Sequence, residues 1–482
     1  MRRLIPHIAT IAALTISLST PVAAQGISAR DKQIGSQQHP EILKQFGGPY
    51  AGPGVALVDR VGKAVAVQSG LAKTGKECTV TTLNSHVVNA FAVPGCYIYV
   101  TRGLLAIMDD EAELASVLGH EIGHVAARHS QKRQRRATFS GLGSILANVV
   151  LGDTAGQIAN FLGQNLVQSY SRGQEFEADD FGVRFASGAG YDPYAAADML
   201  KSLSRDEALQ TKLLGTEKAA SVPAFARSHP LTQDRVDRAT AQAKATGIAP
   251  GAKARNRSQY LAAVNGMLFG DDPAQGFVDD RTFAHPQLQL QFTAPPGFSL
   301  QNGPDAVAMV RGDGLKAQFS GGRLGSGGLE DYAGAVARQL LGQAQGVQTG
   351  QTSRLTINGL DAFVLPLRVE TQRGTTDVTV TAYRFAADQA FSFTTLAPAG
   401  QSAVFEPLTN SLRRLSASEA GSLRQKRIEV VTTAAKDTIE TLAARMAFAN
   451  FRVERFLALN DRDATKPIKA GEQVKIISYA QR

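Results

Sequence analysis

Across 482 residues the chain carries 51 lysines and arginines against 42 aspartates and glutamates, a formal net charge of +9. Apolar residues make up 43% and charged ones 19%, ordinary for a globular protein with room for two to four domains. The basic charge favours anionic partners such as envelope lipids or acidic polymers, but no nucleic-acid motif accompanies it, so nucleic acid is set aside as a partner.

Residues 1–24 read as a secretory leader: Arg2 and Arg3 form the charged region, Ile8 to Leu18 the apolar region, and Val22-Ala23-Ala24 a small-residue cleavage site. No cysteine follows that site, so no lipid anchor is expected. Beyond it there is no run of about 18 apolar residues, so no transmembrane helix is expected in the mature chain. The expected location is the periplasm of a bacterium with an outer membrane.

Residues 25–50 look loosely structured, with a helix expected over Asp31 to Phe46. Val55 to Val67, Thr79 to Leu83, Val87 to Val93 and Tyr97 to Thr101 read as strands, and Gly103-Leu104-Leu105 opens a helix. The layout is α+β, a small sheet beside a mainly helical body. The two cysteines, Cys78 and Cys96, flank the strand pair that runs through Asn89-Ala90-Phe91. Export permits a disulfide between them, which would brace that pair. The alternative is two unpaired buried thiols.

A well-marked helix follows. Asp110 and Glu113 have capping-box spacing, acids cluster at Asp109, Asp110 and Glu111, and Leu114, Val117, Leu118 and Val125 mark a buried face. Arg128, Lys132 and Arg133 crowd its far end. Within it lies His120-Glu121-Ile122-Gly123-His124. Two histidines four apart on a helix share a face and can hold zinc, with the glutamate between them as general base. His129 would point well away from His124 on a continuous helix. Ala127 and Ser130 stand where the elongated H-E-x-x-H-x-x-G-x-x-H form needs glycine and histidine, which excludes that class.

Thr138 to Ser171 holds two apolar stretches separated by Gly152-Asp153-Thr154, read as two amphipathic helices that form a lid, touch a membrane or pack on the body. A third zinc ligand is sought in Glu175-Phe176-Glu177-Ala178-Asp179. There Glu175 and Asp179 lie four apart, so one carboxylate can bind zinc while the other orients a histidine. Gly190-Tyr191-Asp192-Pro193 makes a turn, Glu207 to Phe225 is polar and read as a loop, and His229-Pro230 precedes a further helix.

Four segments together resemble one family: Asn89 to Gly95, His120 to His124, Glu175 to Asp179, and His229-Pro230 with Arg235. They resemble the zinc metallopeptidases of family forty-eight, which include the CAAX prenyl protease, HtpX and soluble periplasmic relatives. The likeness covers roughly residues 40 to 245. It implies one Zn2+ per chain, with His120, His124 and Glu175 as ligands, Glu121 as catalytic base and Asp179 behind the histidines. It also implies an edge strand at Asn89, Ala90 and Phe91 that binds substrate. His229 would lie near the zinc, steadying an oxyanion or occupying the fourth zinc position as a latch. Cys96 departs from the family's usual glycine after Pro-Gly.

The expected domains are the metallopeptidase over 25–250, a linker over 251–280, a second α+β domain over 281–420 and a small module over 425–482. In the second, strands are expected at Leu288 to Phe292, Ala306 to Arg311, Leu315 to Phe319, Ala362 to Val369, Val378 to Phe385 and Ala390 to Thr395, with helices at Leu329 to Leu341 and Ser402 to Leu415. The strand-helix-helix-strand pattern of 427–479 resembles LysM-like modules, which implies peptidoglycan as a partner, although Lys436 stands where a glycine is usual. The function expected is a zinc endopeptidase that degrades unfolded or misassembled envelope proteins, with the outer-membrane assembly machinery as a partner. The alternatives are a latched protease acting as a chaperone or assembly factor, and a peptidoglycan-associated hydrolase.

Overall fold

The computed structural model describes residues 26–133, 169–214, 224–342, 344, 346–371 and 374–480. The architecture is α+β, and helices dominate the part that carries the H-E-x-x-H segment. Helix α1 (Ala29–Gln45) opens on Ser28, whose side chain accepts from the Asp31 amide. Val55 to Val67, expected as a strand, is instead part of helix α2 (Val55–Gln68). Leu57, Val58, Val61 and Val65 are buried on one of its faces, and burying that face outweighs the strand preference of valine. Gly62 lets α2 lie close on the sheet, since a Cβ there would meet Val80 Cγ1 at 2.8 Å.

The small sheet runs β1 (Thr79–Leu83), β3 (Tyr97–Thr101), β2 (Ala90–Val93), with β1 parallel and β2 antiparallel to the central β3. β2 is therefore an edge strand. Cys78 and Cys96 form a disulfide with Cα atoms 4.7 Å apart, tying the start of β1 to the β2–β3 turn.

Helix α3 (Arg102–Ile107) leads into α4 (Glu111–Ala126), which is capped by Asp110 accepting from the Glu113 amide at 2.9 Å. The acids at this end are compensated from outside the helix: Arg255 bonds Asp110 and Asp198, Arg60 bonds Glu111, and Lys475 pairs with Asp109. α4 crosses α5 (Arg172–Gly188) at two facing glycines. A Cβ on Gly119 would lie 3.1 Å from Gly182 Cα, and one on Gly182 would lie 3.0 Å from the Ser116 carbonyl. This contact sets how near the two motif segments can come.

Helix α6 (Ala195–Leu214) is longer than expected, because the segment read as a loop from Glu207 stays helical to Leu214. Leu203 and Met199 on α6 anchor it in the main core, and Leu200 packs against Val236 of α8 (Gln233–Ala245). A short α7 (Ala224–Ser228) precedes α8. The helices expected between Thr138 and Ser171 lie outside the described residues apart from the last few positions.

Within 251–280, read as a linker, helix α9 (Arg257–Val264) buries Tyr260, Leu261 and Val264 in the same core. The following region is an eight-stranded antiparallel sheet with strands including Lys316–Arg323, Leu360–Thr371, Gly374–Ala386 and Gln389–Pro398. Helix α10 (Gly328–Leu341) covers one face and an aromatic cluster around Phe292, Phe319 and Phe393 fills the other. The helix expected over Ser402 to Leu415 breaks into a 3-10 turn, the short helix Glu406–Thr409 and the strand Arg413–Arg414. Asn358 takes the carbonyls of Asn410 and Leu412, which a continuing helix would need.

The C-terminal module has the strands Lys426–Thr432 and Gln473–Tyr479 around the helices Ile439–Ala444 and Arg452–Leu459. Its apolar residues Ile428, Leu442, Phe456 and Ile476 join the core around α2, α4 and α9. Lys475 is fully buried in that junction and donates to the Ala106 and Met108 carbonyls.

Candidate metal centre

α4 places His120, Glu121 and His124 at the α4–α5 crossing, and α5 brings Glu175 and Asp179 to them. The segment after α7 adds His229, and α8 adds Arg235. All seven side chains are buried. The two imidazole Nε2 atoms of His120 and His124 lie 3.0 Å apart, and the Glu175 carboxylate oxygens stand 3.6 Å from each. His229 Nδ1 lies 3.3 Å from His120 Nε2 and 3.0 Å from Glu175 Oε1. Donor atoms of His120, His124, Glu175 and His229 all fall within 4.8 Å of one another.

Around these donors a further set of bonds fixes the rings. Asp179 Oδ1 lies 2.9 Å from His120 Nδ1, and Arg235 grips both Asp179 oxygens at 2.7 and 2.8 Å while pairing with Glu175 at 3.0 Å. Burial alone would raise Asp179, but hydrogen bonds from Arg235 and His120 outweigh it and hold the carboxyl at about 2. Glu175 is lowered too, because His229, His120 and Arg235 overcome its burial. Burial, then the neighbouring imidazoles, push His124 well below the ordinary histidine value, so it is neutral. Glu121 moves the other way: burial raises its carboxyl to about 7, with Glu175 adding to the rise and His120, Arg235 and the Ala92 backbone opposing it.

The donor set suits zinc. Two neutral imidazoles and a carboxylate are common zinc ligands, and ligands about 2.0–2.2 Å from a tetrahedral ion lie roughly 3.3–3.6 Å from one another, close to the separations seen here. With Asp179 engaging Nδ1 of His120 and a further histidine engaging Nδ1 of His124, both Nε2 atoms are left for a cation. Glu121 Oε1 and His229 Nε2 are buried 3.5 Å apart, each without a hydrogen-bond partner among the described residues.

Asn89 lies one residue before β2 and is buried, its backbone engaged by Thr101. Ala90 and Phe91 lie on β2, but the Phe91 ring stacks on Tyr99 at 4.9 Å and packs on Phe46, and Phe91 pairs with Tyr99 of β3. His129 departs from expectation. α4 ends at Ala126 and Arg128 takes φ +55°, which turns the chain back and sets His129 Nδ1 2.8 Å from His124 Nδ1. Tyr170, for which the sequence carries no signal, stacks on the His124 ring at 3.9 Å. Arg235, read as a weak contact, is the residue that joins Asp179 and Glu175.

Comparison with known proteins points the same way. A family model described as Peptidase family M48 matches residues 56–243. The mitochondrial metalloendopeptidase OMA1 of Schizosaccharomyces pombe is 30% identical over 210 residues, which cover 43% of this chain and 59% of that protein. The Beta-barrel assembly-enhancing protease of Yersinia pestis is 26% identical over 282 residues, covering 56% and 53%. Metalloprotease LoiP of Escherichia coli is 32% identical over 139 residues, covering 28% and 55%. The chain thus spans a little over half the length of these relatives. Residues 56–243, the stretch that matches the Peptidase family M48 model, contain the whole cluster of histidines, carboxylates and Arg235.

Proposed function

We propose that this chain is a zinc metalloendopeptidase of the bacterial cell envelope that cuts unfolded or misassembled envelope proteins. The observation that carries the reading is the buried triangle of His120, His124 and Glu175 donors with the unpartnered Glu121 Oε1 beside it and the edge strand β2 alongside. His120, His124 and Glu175 would hold the ion, and Asp179 would orient His120. A zinc ion there supplies Lewis acidity, polarising a scissile carbonyl and lowering the pKa of nearby water. Glu121 Oε1 takes the proton of the attacking water and returns it to the leaving amine. The free edge of β2 at Ala90, between Asn89 and Phe91, would offer main-chain groups to an extended substrate with little demand on its sequence. A folded protein does not present such a strand, which favours unfolded substrates. The leader-like residues 1–24 and the names of the bacterial relatives support the envelope and a link to outer-membrane assembly.

His229 lies as close to the donors as they lie to one another, which supports a resting form in which its ring takes the place of the substrate carbonyl. That form favours a second reading, a latched protein that binds unfolded chains and cuts them only on release. The test is cleavage of a urea-unfolded outer-membrane β-barrel protein by the mature chain, with Glu121→Gln and His229→Ala alongside. Cleavage that falls at least 100-fold in Glu121→Gln is the expected result. Faster cleavage by His229→Ala identifies the latch. Cleavage unchanged in Glu121→Gln refutes the proposal.

A further inference from the structure

We infer that His129 is a positioning residue for His124, the end of a hydrogen-bonded chain that runs from the metal centre to Glu177 at the surface. The inference rests on the zinc reading above. His129 is fully buried, although nothing about an imidazole favours burial without partners. Both of its ring nitrogens are engaged. Nδ1 lies 2.8 Å from His124 Nδ1, and Nε2 lies 3.1 Å from Glu177 Oε2, whose side chain is 48% exposed. Its backbone carbonyl accepts from Gln174 of α5, which pins the reversed segment to the helix that carries Glu175.

Proton counting along this chain gives it a direction. The Glu177 carboxylate only accepts, so His129 Nε2 carries a hydrogen. Neutral His129 then presents a lone pair at Nδ1, and His124 must donate from its own Nδ1. The lone pair of His124 is therefore at Nε2, the nitrogen that faces His120 and Glu175. Asp179 imposes the same choice on His120 from the opposite side. Tyr170 stacked on the His124 ring limits its swing but does not select its tautomer. Without His129 the Nδ1 of His124 is buried and unpaired, and either nitrogen can carry the hydrogen. The turn at Arg128, a left-handed conformation that an arginine rarely adopts, is what brings His129 into this place.

The test is zinc affinity, measured by competition with a chromophoric chelator on the mature chain, with the melting temperature of each metal-free protein beside it. The variants are His129→Ala, His129→Asn, Glu177→Ala and, as the ligand-loss control, His120→Ala. Loss of a partner that orients a ligand typically costs 10–100-fold in metal affinity. We expect about that loss in His129→Ala, a several-fold loss in Glu177→Ala, and recovery of most of the affinity in His129→Asn, whose amide oxygen can still accept. The metal-free melting temperatures of Glu177→Ala and His129→Asn should stay near wild type. If His129→Ala does not fold, those two variants decide. Zinc affinity within twofold of wild type in both Glu177→Ala and His129→Ala overturns the inference and leaves the zinc reading standing. So does an equal loss in the alanine and asparagine variants with a matching fall in metal-free stability. Wild-type binding that is absent, or indifferent to His120→Ala, overturns the zinc reading and this inference with it.

Discussion

Replacing Gly182 by alanine tests whether the helix crossing sets the metal centre. The added Cβ would meet the Ser116 carbonyl at 3.0 Å, the His120 nitrogen at 3.3 Å and the His120 Cα at 3.6 Å. These are backbone atoms of α4, so no rotamer change makes room. To reach an ordinary contact of about 3.5 Å the helices must part by roughly half an ångström, and functional groups tolerate about that much displacement. The separation acts at His120 itself, while Glu175 moves with α5. Two stability effects oppose each other: overpacking costs about 1–3 kcal/mol, and replacing glycine inside a helix returns about 1 kcal/mol. Net stability should fall by no more than about 2 kcal/mol. Zinc affinity and cleavage should fall by tenfold or more. Chelator competition and urea unfolding on the same preparation separate the two. Gly173→Ala, on the same helix with nothing within 4 Å, is the control and should leave both near wild type. Gly182→Ala with wild-type zinc affinity would refute the reasoning.

Three further outcomes are expected. Arg235→Met leaves Asp179 and Glu175 as buried carboxylates without their guanidinium, so urea unfolding should show a loss of about 3–5 kcal/mol in the metal-free protein. Lys475→Met removes a buried ammonium that serves two carbonyls and Asp109, and should cost a similar ~3 kcal/mol, with faster proteolysis of residues 426–479 as a second readout. Asp206 provides a pH dependence away from the metal. Burial raises its carboxyl to about 6 from 3.8, so the folded state holds the proton more tightly than the unfolded chain. Its contribution is fully present below about pH 4 and is lost as pH rises through 6. Asp206→Asn should therefore gain on wild type between pH 4 and pH 7, by up to about 3 kcal/mol, and parallel pH curves would contradict this.

Much of the centre was legible in the sequence because it rests on local periodicity. Asp110 and Glu113 announce the start of α4, and four-residue spacing puts His120 beside His124 and Glu175 beside Asp179 on helices of 16 and 17 residues. The misreadings come from places where local preference and tertiary burial disagree. Val55 to Val67 has the composition of a strand, yet its valines also fall at helical spacing, and the core facing α4 chose the helix. The sequence predicts a continuing helix through His129, because no glycine marks the turn at Arg128.

By itself the sequence determined the chemistry available: which donors exist, which of them share a helix face, and the α+β order of the elements that carry them. Those features depend on residue spacing over one or two helical turns, and spacing is written directly in the chain. Only the tertiary structure decided how the two helices meet. Gly119 against Gly182 sets their distance, Arg235 reaches Asp179 from 56 residues away and also holds Glu175, and a turn at Arg128 puts His129 behind His124. Each of these joins residues from different elements or depends on a backbone conformation that no local pattern specifies, so each is fixed by packing.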